Sequence, residues 1–282
     1  MKFDHKMLLV IPVAVFLISA AIFVSQYAQT GELLKRSIDM KGGLVITINT
    51  EERLDTAAIE LGLKQNFSPV NVREVRSFRG YGTVIETSAD MKSDDIIAAV
   101  KAMGFDASNT DVESIGPSLG ASFWNQAQIA ILGAFILMSI VVFIIFRSVV
   151  PSAAVILSAF CDIFMTLAFM QLFGIELSLA GLAAILMLIG YSVDTDIMLT
   201  SRLLKESDDK TLNDKLRHAL KTGLTMTLTS IGALMPLLVL GISPVITQIA
   251  TVLMIGLAFD IMNTWLTNYA ILKWYCEKKG MV

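Results

Sequence analysis

"LSLAGLAAILMLIGYSVDTDIMLT", Leu177–Thr200, is apolar enough to cross a bilayer, yet it carries Asp194 and Asp196 two positions apart near its end. A hydrocarbon core of about 30 Å takes roughly 20 helical residues. Five other stretches meet that length: Met7–Tyr27, Gln126–Phe146, Pro151–Phe173, Gly223–Leu240 and Thr247–Leu272. The 282 residues are 55% hydrophobic and only 17% charged, with a mean hydropathy of +0.68. That is too apolar for a water-soluble domain of this length. The first two spans are separated by a polar stretch, Thr30 to Ser122, of ordinary globular composition.

The first span begins after Lys2 and Lys6, as a signal peptide does. Its apolar core, Met7 to Val24, is longer than a signal peptide's and no small-x-small cleavage site follows it, so a retained helix is expected. Lys2, Lys6, Arg147, Arg202, Lys205, Lys210, Lys215, Arg217, Lys221, Lys273, Lys278 and Lys279 fall on one side if the six helices alternate. The short loops near Gly174–Glu176 and Gly241–Pro244 carry no Lys or Arg. The positive-inside rule then predicts cytoplasmic termini, an extracytoplasmic polar domain and a cell-membrane location. The loop 201–221 suits the anionic surface of membrane lipid.

Within the polar stretch, "GGLVITIN" alternates as a strand, "ERLDTAAIELGLKQNF" reads as a helix, and "NVREVRSF" turns at Arg79 and Gly80 into "GTVIET". "SDDIIAAVKAM" follows as a helix with Ser93 as its expected N-cap and Gly104 closing it. A last strand is expected near Thr110–Ile115. The order βαββαβ predicts a ferredoxin-like domain whose helices cover one face of the sheet. The expected fold is therefore an α-helical membrane protein with six transmembrane helices plus an extracytoplasmic α+β ferredoxin-like (βαββαβ) domain between helices 1 and 2. Its parts are 1–29, 30–122 and 123–282.

Ten Lys/Arg against fourteen Asp/Glu in the polar domain, without a basic stripe, argue against nucleic acid as a partner. No Gly-rich phosphate loop or His cluster marks a catalytic site, and no cofactor or metal is expected. Cys161 and Cys276 have no metal-site company and read as packing residues.

The chemistry lies in the spans, which hold Asp162, Asp194, Asp196 and Asp260 but no Lys, Arg or His. A charge near the bilayer centre costs about 2.5–3.5 kcal/mol even on insertion scales. Each carboxylate must then be neutral, hydrated or partnered, and a proton or a bound ion is the natural partner. Asp194 and Asp196 sit about 200° apart on a helix and cannot share a face. Asp194 shares its stripe with Gly190 and Tyr191; Asp196 shares its own with Ser192 and Thr200. Asp260 shares a stripe with Gly256, Asn263, Thr264 and Thr267, and the fifth span adds Thr222, Thr225 and Thr229. These residues are candidates for a polar pathway linking three helices. For the hydroxyls alone, interhelical packing is the commoner use.

Several segments resemble the SecD/SecF family of protein-export membrane proteins, archaeal SecF branch, within the resistance-nodulation-division superfamily. "SIDMKGG", Ser37–Gly43, is similar to the family's G-[IL]-D-F-x-G-G, with Asp39, Gly42 and Gly43 kept and Ser37 and Met40 as departures. "IGPSLG", with Gly116 and Pro117, is similar to V-G-P-x-V-G. The third span keeps the aspartate of a His-Asp pair as Asp162, with Cys161 in place of His. The fourth-span signature continues through Arg202 to Glu206. The bacterial G-Y-S-I-N-D-T would place its aspartate at Thr195, whereas Asp194 coincides with the aspartate of the SecD pattern G-M-A-V-D-A-N. The resemblance makes Asp194 the first choice for ion coupling, with Asp162, Asp260 and Asp196 beside it.

The same resemblance implies a non-enzymatic accessory of the Sec translocon. It would pair with a SecD-like subunit and use an ion gradient to promote movement of an exported preprotein through the Sec translocon channel. A purely structural translocon subunit and an intramembrane aspartyl protease are the alternatives; the protease lacks its usual Tyr-Asp and Gly-x-Gly-Asp motifs here. A small-molecule or lipid exporter of the superfamily predicts a duplicated chain, and no second copy is present.

Overall fold

The computed structural model describes residues 5–50, 52–77, 80–204, 212–241 and 243–280. Lys2, Arg79, Lys205, Glu206 and Lys210 lie outside the described residues. A short α1 (His5–Leu8) leads into α2 (Val10–Thr30), which Gly31 ends in a left-handed conformation. After α3 (Ile38–Lys41) come β1 (Gly43–Thr50), α4 (Thr56–Lys64), β2 (Val70–Ser77), β3 (Gly80–Thr87), α5 (Ser93–Ala102) and β4 (Thr110–Ile115). Then follow α6 (Pro117–Phe146), α7 (Val149–Leu172), α8 (Leu179–Leu204), α9 (Leu212–Leu240) and α10 (Pro244–Met262). A π-helical turn, Asn263–Asn268, joins α10 to α11 (Tyr269–Lys279).

Six helices among the described residues are long and apolar enough to cross a membrane: α2, α6, α7, α8, α9 and the continuous run from α10 through α11. Each runs past its apolar stretch at one end or both, while α2 and α8 begin later and α7 ends earlier than the apolar run. Pro117 starts α6 at the first helical position, where its missing N–H costs nothing. In the most apolar stretch of α7 56% of residues are buried, against 6% in α6 and 11% in α2 and in α9. The bundle core is thus α7, α8 and the α10–α11 run, and the other three form its rim.

The four strands form one antiparallel sheet in the order β2-β3-β1-β4. Ile46 lies opposite Ile85 and Val112, and Val72 opposite Ile85, so Leu44, Ile46, Ile48, Val70, Val72 and Ile85 share one face. Ile59 and Leu63 of α4 and Ile96 and Val100 of α5 close over it. Asp55 caps α4, accepting from the backbone N–H groups of Ala57 and Ala58 at 3.1 Å each. In α5 the expected cap is corrected: Lys92 holds that position and Ser93 is already helical. The opposite sheet face carries the Arg73–Glu86 ion pair at 3.0 Å.

The chain enters and leaves the sheet domain through one clasp. A Cβ at Gly120 would lie 2.3 Å from the Gly42 nitrogen, and one at Gly42 would lie 2.6 Å from Pro117 Cα. Gly42 also has φ of +81°, a conformation that favours glycine. The motif around Asp39, Gly42 and Gly43 and the one around Gly116 and Pro117 therefore meet, backbone against backbone.

The loop between α7 and α8 is laced to the same region. Leu177 N–H donates to the Lys35 carbonyl at 2.8 Å, and Ser37 N–H donates to the Leu177 carbonyl at 2.9 Å. Lys35 N–H reaches Gln171 Oε1 at 2.8 Å, and Gln248 Nε2 reaches the Glu176 carbonyl at 2.8 Å. Burial holds the Glu176 carboxyl above its usual range; Glu86 adds to this, and Lys41, Arg73 and Lys35 oppose it. An acid raised in the folded state contributes most when protonated, and that contribution fades as pH rises through and beyond the ordinary glutamate range. Glu176→Gln should therefore raise the thermal midpoint at pH 8 and leave it unchanged at pH 4. An equal shift at both values would assign the effect to packing.

Candidate functional site: a carboxylate cluster in the bundle

Asp162 in α7, Asp196 in α8 and Asp260 in α10 are all fully buried. Asp162 Oδ2 accepts from Ser192 Oγ at 2.6 Å, and its Oδ1 accepts from Asn263 Nδ2 at 2.7 Å. Asp196 Oδ1 accepts from Thr264 Oγ1 and from Asn268 Nδ2, each at 2.8 Å. Thr264 Oγ1 also lies 3.2 Å from Asp260 Oδ1, so one hydroxyl bridges two acids. Thr267 Oγ1 holds Asn263 by donating to its Oδ1 at 3.2 Å. None of these donors is a cation.

The π-helical turn positions three of the donors. Its wider turn brings Asn263, Thr264 and Asn268 to the cluster, although Asn268 stands eight residues beyond Asp260 and would drift roughly 80° around a regular α-helix. Such turns recur at functional sites. Asn268 is the residue that sequence reasoning missed, because an α-helical period does not put it on the Asp260 stripe.

The expected residues separate into two sets. Asp162, Asp196, Asp260, Ser192, Asn263 and Thr264 come together. Asp194 and Tyr191 lie exposed on the outward face of α8, so of the two neighbouring aspartates it is Asp196 that points inward. Thr225 and Thr229 face outward on α9 and stand apart from the cluster. Their hydroxyls close on their own helix, bonding the carbonyls of Lys221 at 2.7 Å and Thr225 at 2.9 Å, and so need no partner from another helix. Arg202 Nη1 donates to the His218 carbonyl at 2.9 Å, tying the end of α8 to α9. Asp39 Oδ2 accepts from the Leu179 N–H at 3.4 Å, at the start of α8.

A six-span membrane protein with a sheet domain after its first span, and buried acids held only by neutral donors, belongs to the class of membrane transport proteins with ionisable groups inside the bundle. Residues 95–278 match the family described as protein export membrane protein SecD/SecF, C-terminal. The chain is 39% identical over 282 residues to a protein-export membrane protein SecF of Methanothermobacter thermautotrophicus, covering 98% of this chain and 94% of that one. It is 40% identical to a SecF of Pyrococcus furiosus, covering 99% and 93%. It superposes on a crystal structure of SecDF from Thermus thermophilus, a translocon-associated membrane protein, with a TM-score of 0.79 at 19% identity. That alignment covers 98% of this chain and 39% of the SecDF chain, so this chain spans about two fifths of the larger protein. The chain belongs to the SecD/SecF family of protein-export membrane proteins.

Proposed function

We propose that this chain is an ion-coupled accessory subunit of the Sec protein-export machinery. The carrying observation is the set of three fully buried carboxylates with only hydroxyl and amide donors. Buried charges of one sign are not tolerated together, so protons or a cation must neutralise the set. Loading and release of that neutralising ion would shift a bundle between two arrangements and, through the laced loop and the glycine clasp, move an extracytoplasmic ferredoxin-like sheet domain against the exported preprotein. In this reading both termini are cytoplasmic.

Pairing with a SecD-like subunit has its own support. Asp194 and Tyr191 are exposed beside Ala183, Met187 and Gly190 on one face of α8. A carboxylate facing lipid costs about 2.5–3.5 kcal/mol, whereas a protein partner can hold it. We assign this face to the partner, and the remaining rim to membrane lipid and the Sec translocon channel.

The test is export of a preprotein into vesicles holding this chain, its SecD-like subunit and the channel, under an imposed proton or sodium gradient. Stimulation by this chain should vanish when the matching ionophore collapses the gradient. Stimulation that survives both ionophores would leave a structural subunit.

A further inference from the structure

Most hydroxyls of the bundle find a partner within the protein. Ser139, Thr166, Thr195 and Thr251 close on the carbonyl one turn back in their own helices, at distances between 2.6 and 3.3 Å. Ser192, Thr264 and Thr267 donate to the acids or to Asn263. Ser158 Oγ and Thr200 Oγ1 do neither, although both residues are fully buried. Asp196 Oδ2 and Asn268 Oδ1 share that state, buried and without a protein hydrogen-bond partner.

These oxygens gather around one residue, Asp196. The helices α7 and α8 are antiparallel neighbours, and the Asp162–Ser192 bond at 2.6 Å sets their register. One turn along each, Ser158 comes level with Asp196, and its hydroxyl stands beside the Asp196 carboxyl. Asn268 bonds Asp196 Oδ1 through its Nδ2 at 2.8 Å; an ionised carboxylate only accepts, so the amide presents its nitrogen there and its carbonyl oxygen is left over. Thr200 follows Asp196 by one turn on the buried face of α8. The other unpartnered atoms among the described residues stand apart or have the wrong chemistry. Thr83 Oγ1 is in the sheet, Gln171 Nε2 and Glu176 Oε2 are at the loop between α7 and α8, and Ser152 Oγ is near the start of α7. Trp265 Nε1 is a donor only, and Asp260 Oδ2 belongs with Ser192 rather than Ser158.

An unpartnered buried polar group is expensive, and each such group in a folded protein calls for a water or an ion. Here the set is one carboxylate oxygen, one amide carbonyl and two hydroxyls, all with lone pairs to offer. A water could bond to them, yet it would leave the negative charge uncompensated, and none of the side chains that donate to the acids is a cation. A divalent or transition metal asks for more carboxylates, imidazoles or thiolates. No trio of His, Cys, Asp or Glu among the described residues is placed to hold one. A hard, singly charged cation matches both the neutral oxygens and the single carboxylate charge. We propose that Asp196 Oδ2, Asn268 Oδ1, Ser158 Oγ and Thr200 Oγ1 form a binding site for a dehydrated sodium ion between α7, α8 and the π-helical turn. The inference rests on the proposed function for its purpose: it names the ion that is coupled.

The test is equilibrium binding of radiolabelled sodium to the full purified chain, with choline chloride holding the ionic strength. The parent chain should bind sodium saturably. Ser158→Ala and Thr200→Val should each weaken binding at least about tenfold, the factor that corresponds to about 1.4 kcal/mol. Thr251→Val is the control, because the Thr251 hydroxyl closes on its own helix at 2.8 Å, and it should bind as the parent does. Neither Ser158→Ala nor Thr200→Val removes a protein hydrogen bond, so their thermal midpoints in choline chloride should be no lower than the parent's. No saturable binding by the parent would leave water at these atoms and overturn the proposal, as would unchanged affinity in both variants. Should the variants fail to fold, competition on the unaltered chain decides: displacement of the label by unlabelled sodium in preference to potassium supports the site, and equal displacement by potassium or choline removes it. Sodium binding combined with gradient-independent export would remove the proposed function and leave this site standing. Export that follows a proton gradient with no sodium bound would remove the site and leave the proposed function.

Discussion

Asp196→Asn is expected to reduce export to the level seen without this subunit while leaving its abundance and thermal midpoint nearly unchanged. The geometry makes this a clean substitution. Asp196 Oδ1 accepts both of its hydrogen bonds, from Thr264 and Asn268, and its Oδ2 has no protein partner. An asparagine can keep its carbonyl at the first position and turn its amide toward Ser158, whose hydroxyl can accept as well as donate. The stability change should stay within about 1 kcal/mol, and the ability to exchange a proton or hold a cation is lost. Asp162→Asn is a less clean probe, since Ser192 and Asn263 direct donors at both of its oxygens. Asp194→Asn tests something else: on the exposed face of α8 it should weaken association with the SecD-like subunit, read as co-purification. Full export by Asp196→Asn at normal abundance would exclude the cluster from coupling. An infrared carboxyl band that titrates in the parent chain and is missing from Asp196→Asn would identify the exchanging group directly.

The largest stability effect should come from the clasp. Gly120→Ala places a methyl 2.3 Å from the Gly42 nitrogen and 2.7 Å from the Lys41 carbonyl carbon, against backbone that cannot swing aside. Overpacking of this kind costs about 1–3 kcal/mol, and alanine's better helix propensity returns about 1 kcal/mol of it. Gly120→Val should do worse. Gly42→Ala adds the strain of a left-handed backbone to a 2.6 Å contact with Pro117 Cα. The two changes act on one contact, so the double variant should lose less than their sum. Gly133→Ala, in the same helix with nothing near its Cβ position, is the control and should be neutral or slightly stabilising. Thermal unfolding of the purified chain measures all five variants. A clasp variant as stable as the control would mean that the sheet domain is not anchored by this contact. Export by the clasp variants should fall further than stability alone explains, because the sheet domain would lose its fixed attachment to α6.

Much of the architecture is legible in the sequence because its signals are local. Apolar runs of membrane length give six spans, the alternation of "GGLVITIN" gives β1, and Gly104 marks the end of α5 by chemistry that acts within one turn, whereas the Asp55 cap of α4 shows only in the structure. Asp162, Asp196 and Asp260 are conspicuous for the same reason: a carboxylate in an apolar run is costly wherever it points. Helical spacing also establishes that Asp194 and Asp196 face apart. It does not tell which one faces inward, since that depends on where α7 and α10 pack, and the tertiary structure turns Asp196 to the cluster and Asp194 to the surface. The same holds for Thr225 and Thr229, whose stripe is real but looks away from the acids. Asn268 enters the cluster through a π-helical turn that an α-helical period does not foresee, and Gly42 meets Gly120 across 77 residues of intervening chain. Local chemistry follows from residues a few positions apart and is written in the sequence; which buried group meets which is settled only when separate helices pack, because packing energy belongs to pairs that the chain keeps far apart.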